Sequence, residues 1–375
     1  MKSMQLIDLR KQYESIQPDI QTAINQVLEH GQYILGREVQ ELETALAAYV
    51  GVKHCIAVAN GTDALMIAMM SLGIQPGDEI ITTPFTFIAN AEMIKLLGAI
   101  PVFVDIDPMT YNIDATQIEK AITAKTKCIM PVCLYGQCPD MQMINHIAAK
   151  YNLPVIEDAA QSFGATYQNK KSGGLTTIGC TSFFPSKPLG CYGDGGACFT
   201  NNDDLATAMR QIRVHGQSKR YHHTLLGMNS RLDTLQAAIL LVKLRIFPDE
   251  VKARQRIGQR YTDLLQSHVK TVQLLAENTS VYAQYTIAVP ERDAIQAMLK
   301  LANIPTAVHY PIPLHQQPIF AEQQPLHLPH AEDAANHVIS LPMHPYLTLE
   351  DQNYIVKQVL FALQKIKNPV AYEMA

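Results

Sequence analysis

Between residues 54 and 200 the chain sets short β-rich runs against longer helical stretches, again and again. Runs rich in β-branched and apolar residues fall at 54–59, 78–83, 101–106, 127–134, 154–159, 180–184 and 197–200. Helical patterns at 62–73, 89–98 and 141–151 separate several of them. Runs this short and this uniformly apolar are strands buried on both faces, so the pattern predicts an α/β fold built on a mostly parallel sheet. The last two runs have only a glycine-rich loop between them and can pair antiparallel, because no crossover helix is available.

Beyond the sheet region the pattern changes. A helical stretch at 230–247 is interrupted at Pro248, and a second follows at 253–268. Then come a strand-like run at 280–289, a helix near 291–302, and proline-rich segments at 305–330 that favour extended backbone. At 375 residues the chain is too long for one small core. The expected division is a large domain over 1–247 and a smaller C-terminal α+β domain over 248–375, with the N-terminal segment free to pack on the smaller one. Hydrophobic residues at 47% and charged residues at 17% supply a sizeable core and exclude a disordered chain.

A formal net charge of −4, with no basic tail or stripe, argues against a nucleic-acid partner. The start, MKSMQLIDLRKQYESI, turns charged and polar before an apolar signal segment can develop. No apolar run approaches the ~18 residues of a membrane span. These features lead to the expectation of a cytoplasmic protein without a membrane partner. Seven cysteines without a CxxC pair read as reduced core residues, with no metal site expected.

In open α/β sheets ligands bind beyond the carboxyl ends of the strands. After the first run comes NGTDAL (60–65), where Thr62 and Asp63 open a helix; this is either an ordinary N-cap or an anion site. Asp158 and Gln161 follow the run at 154–159, and an acidic residue there needs an ion pair, a cap or a bound cation. Phe87 follows another run, and Ser182 lies within TSFF. Lys187 sits in CTSFFPSKPLGCYGDGGA, between Pro185 and Pro188 and ahead of four glycines. A carboxylate, an aromatic face, an anion site, a hydroxyl and one constrained lysine are together what pyridoxal phosphate needs. The glycine fingerprint of dinucleotide binding is absent, and GLTTIGCT (174–181) has Cys180 where a P-loop needs lysine.

NGTDAL, FVDIDPMTYNID (103–114), PVCLYGQCPDM (131–141), IEDAAQSFGA (156–165), the Lys187 segment and NSRLDTLQAAIL (229–240) resemble the DegT/DnrJ/EryC1/StrS family of nucleotide-sugar aminotransferases. The likeness runs from IDLRKQY (7–13) to SLPMHPYL (340–347). It implies fold type I of the pyridoxal-phosphate enzymes, the aspartate-aminotransferase architecture, and a homodimer with shared active sites. Position by position it implies that Lys187 forms the Schiff base and moves the proton, that Asp158 pairs with the pyridinium nitrogen, and that Gln161 bonds near the cofactor 3-hydroxyl. Phe87 matches the stacking ring. Thr62, Asp63 through its backbone, Ser182 and the neighbouring subunit's copy of Asn229 match phosphate ligands.

HGQYILG (30–36), HGQSKRYHH (215–223), SVYAQYTI (280–287) and PTAVHYPIPL (305–314) resemble the subgroup that aminates UDP-2-acetamido-2-deoxy-3-oxo-D-glucuronate with L-glutamate, which leaves as 2-oxoglutarate. That subgroup serves surface-polysaccharide biosynthesis. Arg231, His309 and Tyr310 match its carboxylate-binding positions, the last two expected from across the dimer. The alternatives are a dTDP-3-keto-6-deoxyhexose or a 4-keto sugar nucleotide as substrate, and, in another class, a non-catalytic regulatory protein of the same fold.

Overall fold

The computed structural model describes residues 4–320 and 326–368. All seven runs expected as strands form them: β1 (His54–Val58), β2 (Glu79–Thr82), β3 (Ile100–Phe103), β4 (Thr126–Met130), β5 (Ile156–Asp158), β6 (Ile178–Ser182) and β7 (Gly196–Thr200). β3, β2 and β4 pair in parallel, as do β5 and β6. Parallel bridges from Ile129 to Val155 and from Val132 to Asp158 join the two groups, giving the order β3-β2-β4-β5-β6-β7-β1. β7 alone runs antiparallel, between β6 and β1. The glycine-rich loop that follows β6 accounts for that reversal.

Alternation along β1 shows how both faces are covered. Ile56 and Val58 join Leu65 and Met69 of helix α1 (Gly61–Ser71) and Met93 of α2 (Ala89–Leu96) in one cluster. Cys55 and Ala57 point to the other side, where Phe163, Phe199, Leu240 and Phe247 pack. A period of two sends successive residues to opposite faces, and both are apolar here. All seven cysteines are free and buried. Cys133, Cys138 and Glu157 bring ligand atoms within 4.8 Å of one another, but Glu157 is already bonded by Ser172 Oγ, Gly173 N and Leu175 N.

One expectation fails at Pro248. The helices expected on either side of it are one helix, α3 (Thr234–Leu265), with Pro248 inside. Interior proline costs about 3 kcal/mol. What outweighs it is burial at both ends: Leu240, Phe247 and Val251 enter the core under the large sheet, while Ile257, Tyr261 and Leu265 enter a second core. That second core also holds Tyr285 and Ile287 of β9 (Tyr285–Ala288), which pairs antiparallel with β8 (Lys270–Thr271) and β10 (Val338–Leu341). Helices α4 (Arg292–Leu301) and α5 (Leu349–Lys367) cover it. Of the proline-rich stretch expected at 305–330, residues 321–325 lie outside those described.

Candidate active site

The carboxyl ends of β1, β2, β5 and β6 open on one side of the sheet, and the candidate residues leave from there. Asn60 caps α1: its backbone is extended, and its Oδ1 accepts from the Asp63 amide at 2.8 Å. The Asp63 amide, expected on a phosphate, is therefore already engaged. Ala64 N in turn donates to Asn60 O at 3.1 Å. The first amides of the helix belong to Gly61 and Thr62, and a helix start is where an anion is favoured.

Gly61 touches the end of β6. A Cβ there would lie 2.5 Å from Ser182 Cβ, and one on Gly196 would lie 2.4 Å from Asn60 O. Only glycine lets α1, β6 and β7 meet this closely. Gly61→Ala is expected to destabilise the fold by about 1–3 kcal/mol and to weaken phosphate-ester binding at the cradle. Urea unfolding and cofactor titration of the variant measure both; an unchanged midpoint would contradict the packing argument.

The lysine turn is tied at both ends. Lys187 N donates to Phe184 O at 2.8 Å, and Cys191 N returns to Phe183 O at 2.8 Å. Lys243, from α3, donates its Nζ to Gly190 O. A Cβ on Gly190 would lie 2.5 Å from Pro185 O, so glycine allows the turn to fold back over the proline. Burial holds the Lys187 ammonium below its usual range, opposed by the charge of Asp158. Among the described residues that ammonium has no hydrogen-bonded partner.

Asp158, at the end of β5, is 7% exposed and accepts from Ala160 N at 2.9 Å. Burial raises its pKa, opposed by the Ala160 amide, the Lys187 charge and Asn90. Asn90 is close enough to favour the carboxylate, yet its buried Nδ2 makes no hydrogen bond of ordinary geometry. Gln161 Oε1 accepts from Tyr135 N at 3.0 Å, and its Nε2 donates to Tyr310 OH at 3.1 Å. The Phe87 ring is 55% exposed and stands 6.4 Å from the Tyr310 ring. His309 Nδ1 meets Ser340 Oγ at 2.9 Å, and Tyr135 OH donates to His309 O.

His309 and Tyr310 were expected from across a dimer. They stand instead beside Gln161 and Lys187 of their own chain, because the extended segment after α4 returns over the cleft. Asn229, expected on the phosphate of the neighbouring subunit, and Arg231, expected on the sugar carboxylate, sit together elsewhere. They line a recess of about 430 Å³ with Asn60, Asp194 and Gln236, and neither Lys187 nor Asp158 lines it. Arg231 Nε is buried there without a partner. Asn60, Asn90 and Tyr135 escaped the sequence reading. The N-G-T-D spacing is a capping signal for Asn60, whereas nothing local marks the other two.

Two histidines at the edge of the cleft are held neutral. Burial takes His309 down to about 4, helped by Lys187, and takes His344 down to about 4. A histidine whose folded pKa lies below its unfolded value of about 6.5 contributes stability above that value and loses it as pH falls. The unfolding midpoint is therefore expected to drop as pH falls from about 6.5 towards about 4. His344→Phe should flatten that slope in urea titrations; an unaltered slope would contradict it.

These residues fit pyridoxal phosphate. Asp158 is buried with one hydrogen bond and suits a pyridinium N–H, Phe87 offers an open ring face, the Gly61–Ser182 contact forms a cradle at a helix start, and Lys187 is an unpartnered amine. Such a fold and site define a pyridoxal-phosphate-dependent aminotransferase of fold type I. The chain belongs to the DegT/DnrJ/EryC1/StrS aminotransferase family, matching it over residues 14–360. It is 59% identical over 345 residues to the UDP-2-acetamido-2-deoxy-3-oxo-D-glucuronate aminotransferase of Pseudomonas aeruginosa, covering 92% of this chain and 96% of that one. It is 48% identical over 360 residues to a pleiotropic regulatory protein of Geobacillus stearothermophilus, covering 94% and 97%. A Bacillus subtilis protein solved with the cofactor PMP bound is 33% identical, with a TM-score of 0.87 over 92% of this chain and 82% of that one.

Proposed function

We propose that this aminotransferase moves the amino group of L-glutamate to C3 of a UDP-linked 3-keto sugar, UDP-2-acetamido-2-deoxy-3-oxo-D-glucuronate, in surface-polysaccharide biosynthesis. Likeness over nearly the full length of the Pseudomonas enzyme is the observation that carries this substrate. Pyridoxal phosphate supplies the electron sink for both half-reactions. Residues 1–247 would form the cofactor-binding unit and 248–375 the smaller one, with α3 spanning the junction.

Gly61, Thr62 and Ser182 would hold the phosphate, Asp158 would keep a proton on the pyridine nitrogen, Gln161 would bond near the 3-hydroxyl and Phe87 would cover one ring face. Lys187 would attach the cofactor covalently. Once released, its amine would take the proton from Cα of glutamate and later deliver one to C3 of the sugar. Its low ammonium pKa favours the free base this needs.

Asn229 and Arg231 line a recess that neither Lys187 nor Asp158 lines, which supports a homodimer in which each chain's pair completes the other's cleft. With His309 neutral, the charge for the sugar 6-carboxylate falls to Arg231, whose planar fork can bind both oxygens. His309 and Tyr310 then contribute hydrogen bonds and shape. A regulatory role, the name carried by the Geobacillus relative, needs none of the Lys187 geometry.

Arg231→Ala is expected to lower kcat/KM on the uronate by about 10- to 100-fold, the worth of one charge-assisted pair. A dTDP-3-keto-6-deoxy sugar, which lacks the carboxylate, should feel little of that loss. Equal losses on both sugars, measured by product formation, would remove Arg231 from carboxylate recognition.

A further inference from the structure

Beside the lysine turn lies a small cavity of about 10 Å³, whose walls include Gln12, Pro185, Lys187, Pro188, Arg254 and His344. Three chain-distant side chains in that wall are buried, at 8% exposure for Gln12 and 3% each for Arg254 and His344. Each carries one polar atom without a partner: Gln12 Oε1, Arg254 Nε and His344 Nδ1. Unpaired buried polar atoms are expensive, and three around one cavity point to a shared ligand.

The surroundings fix the roles of two of these atoms. Gln12 Nε2 donates to both oxygens of Glu250, at 2.8 and 2.9 Å, so the amide cannot turn and Oε1 must accept. Arg254 Nη1 donates to Tyr282 O at 3.2 Å, and its Nε can only donate. His344 is neutral near pH 7, so its Nδ1 is free to carry a hydrogen. A chloride would satisfy the two donors and leave Gln12 unpaired. A cation would do the reverse and meet the Arg254 charge. The volume is about that of one water, and a water both donates and accepts.

We propose that this cavity binds one ordered water, which accepts from Arg254 Nε and His344 Nδ1, donates to Gln12 Oε1 and turns its remaining hydrogen to the Lys187 amine. With both lone pairs engaged, the water offers Lys187 only a hydrogen, which favours the neutral amine. Gln12, Arg254 and His344 are thus positioning residues for the lysine. The other groups facing Lys187 are Asp158 and His309 from the cleft, with Asp8 and Tyr346 in the cavity wall. The water site stands on the packing alone; its use in catalysis rests on Lys187 acting as the base proposed above.

The test uses the full chain loaded with pyridoxamine phosphate, which leaves Lys187 unbonded. A high-resolution crystal structure grown in bromide should show a single water about 2.6–3.2 Å from the three atoms. A bromide anomalous peak there, or no density, overturns the proposal. In the same form the Lys187 pKa, read by competitive acylation and peptide mass, should rise by about one unit in His344→Phe and in His344→Leu, each of which frees a lone pair of the water. Two variants guard against one failing to fold, and an unchanged pKa in a folded one overturns the link to Lys187. Failure to bind pyridoxamine phosphate would instead strike the proposed function.

Discussion

Lys187→Ala is expected to give a folded protein with no visible absorption band after incubation with pyridoxal phosphate, and with turnover lowered by at least about 10⁴-fold. Two losses combine. The variant lacks the amine that would anchor the cofactor, and it lacks the base that would move the proton between carbon atoms. The fold should survive. Lys187 makes no side-chain hydrogen bond among the described residues, and its turn is held by backbone bonds from Lys187 N and Cys191 N and by Lys243. Removing a partly desolvated ammonium relieves one cost, while Asp158 loses a compensating charge. The two oppose, so the melting temperature of the cofactor-free variant should stay within about 5 °C of the wild type. A variant that keeps the band, or more than a hundredth of the activity, would exclude Lys187 as the anchoring residue.

Asp158→Asn should cost about 10²- to 10³-fold in kcat, with the substitution nearly isosteric. An asparagine cannot hold the pyridine nitrogen protonated, so the electron sink weakens. The charge of Asp158 also supports the Lys187 ammonium, so without it the lysine pKa moves further down. The pH at which the visible band titrates should fall in step with the activity. Stability should change little or rise, because a buried carboxylate with a raised pKa is replaced by a neutral amide. A kcat within about threefold of the wild type would show that the carboxylate does not act on the ring.

The sheet was legible because both of its faces are apolar. Ile56 and Val58 on one side and Cys55 and Ala57 on the other make runs that only a doubly covered strand explains. Pro248 misled because local propensity argues for a break, whereas the packing of Phe247 and Tyr261 into two cores is invisible along the chain. In the site, Lys187, Asp158 and Gln161 were legible from position, since each stands at or just beyond a strand end. Helix starts serve caps and anions with the same groups, and the Asp63 amide is the one that Asn60 takes. The placing of His309 and Tyr310 depends on where the segment after α4 returns, which no motif within it states. The resemblance already implied a second chain at Asn229, whereas nothing along the chain states that Arg231 shares a recess with it that Lys187 does not line.

The most direct measurement is the mass of the product formed when the purified holoenzyme is given ¹⁵N-labelled L-glutamate and UDP-2-acetamido-2-deoxy-3-oxo-D-glucuronate. The account predicts a UDP-linked 3-amino uronate carrying the label, with one 2-oxoglutarate released per amino sugar formed. Unlabelled or unchanged keto sugar, alongside a labelled amino product from a dTDP-3-keto-6-deoxy or 4-keto sugar nucleotide in a parallel reaction, would contradict it.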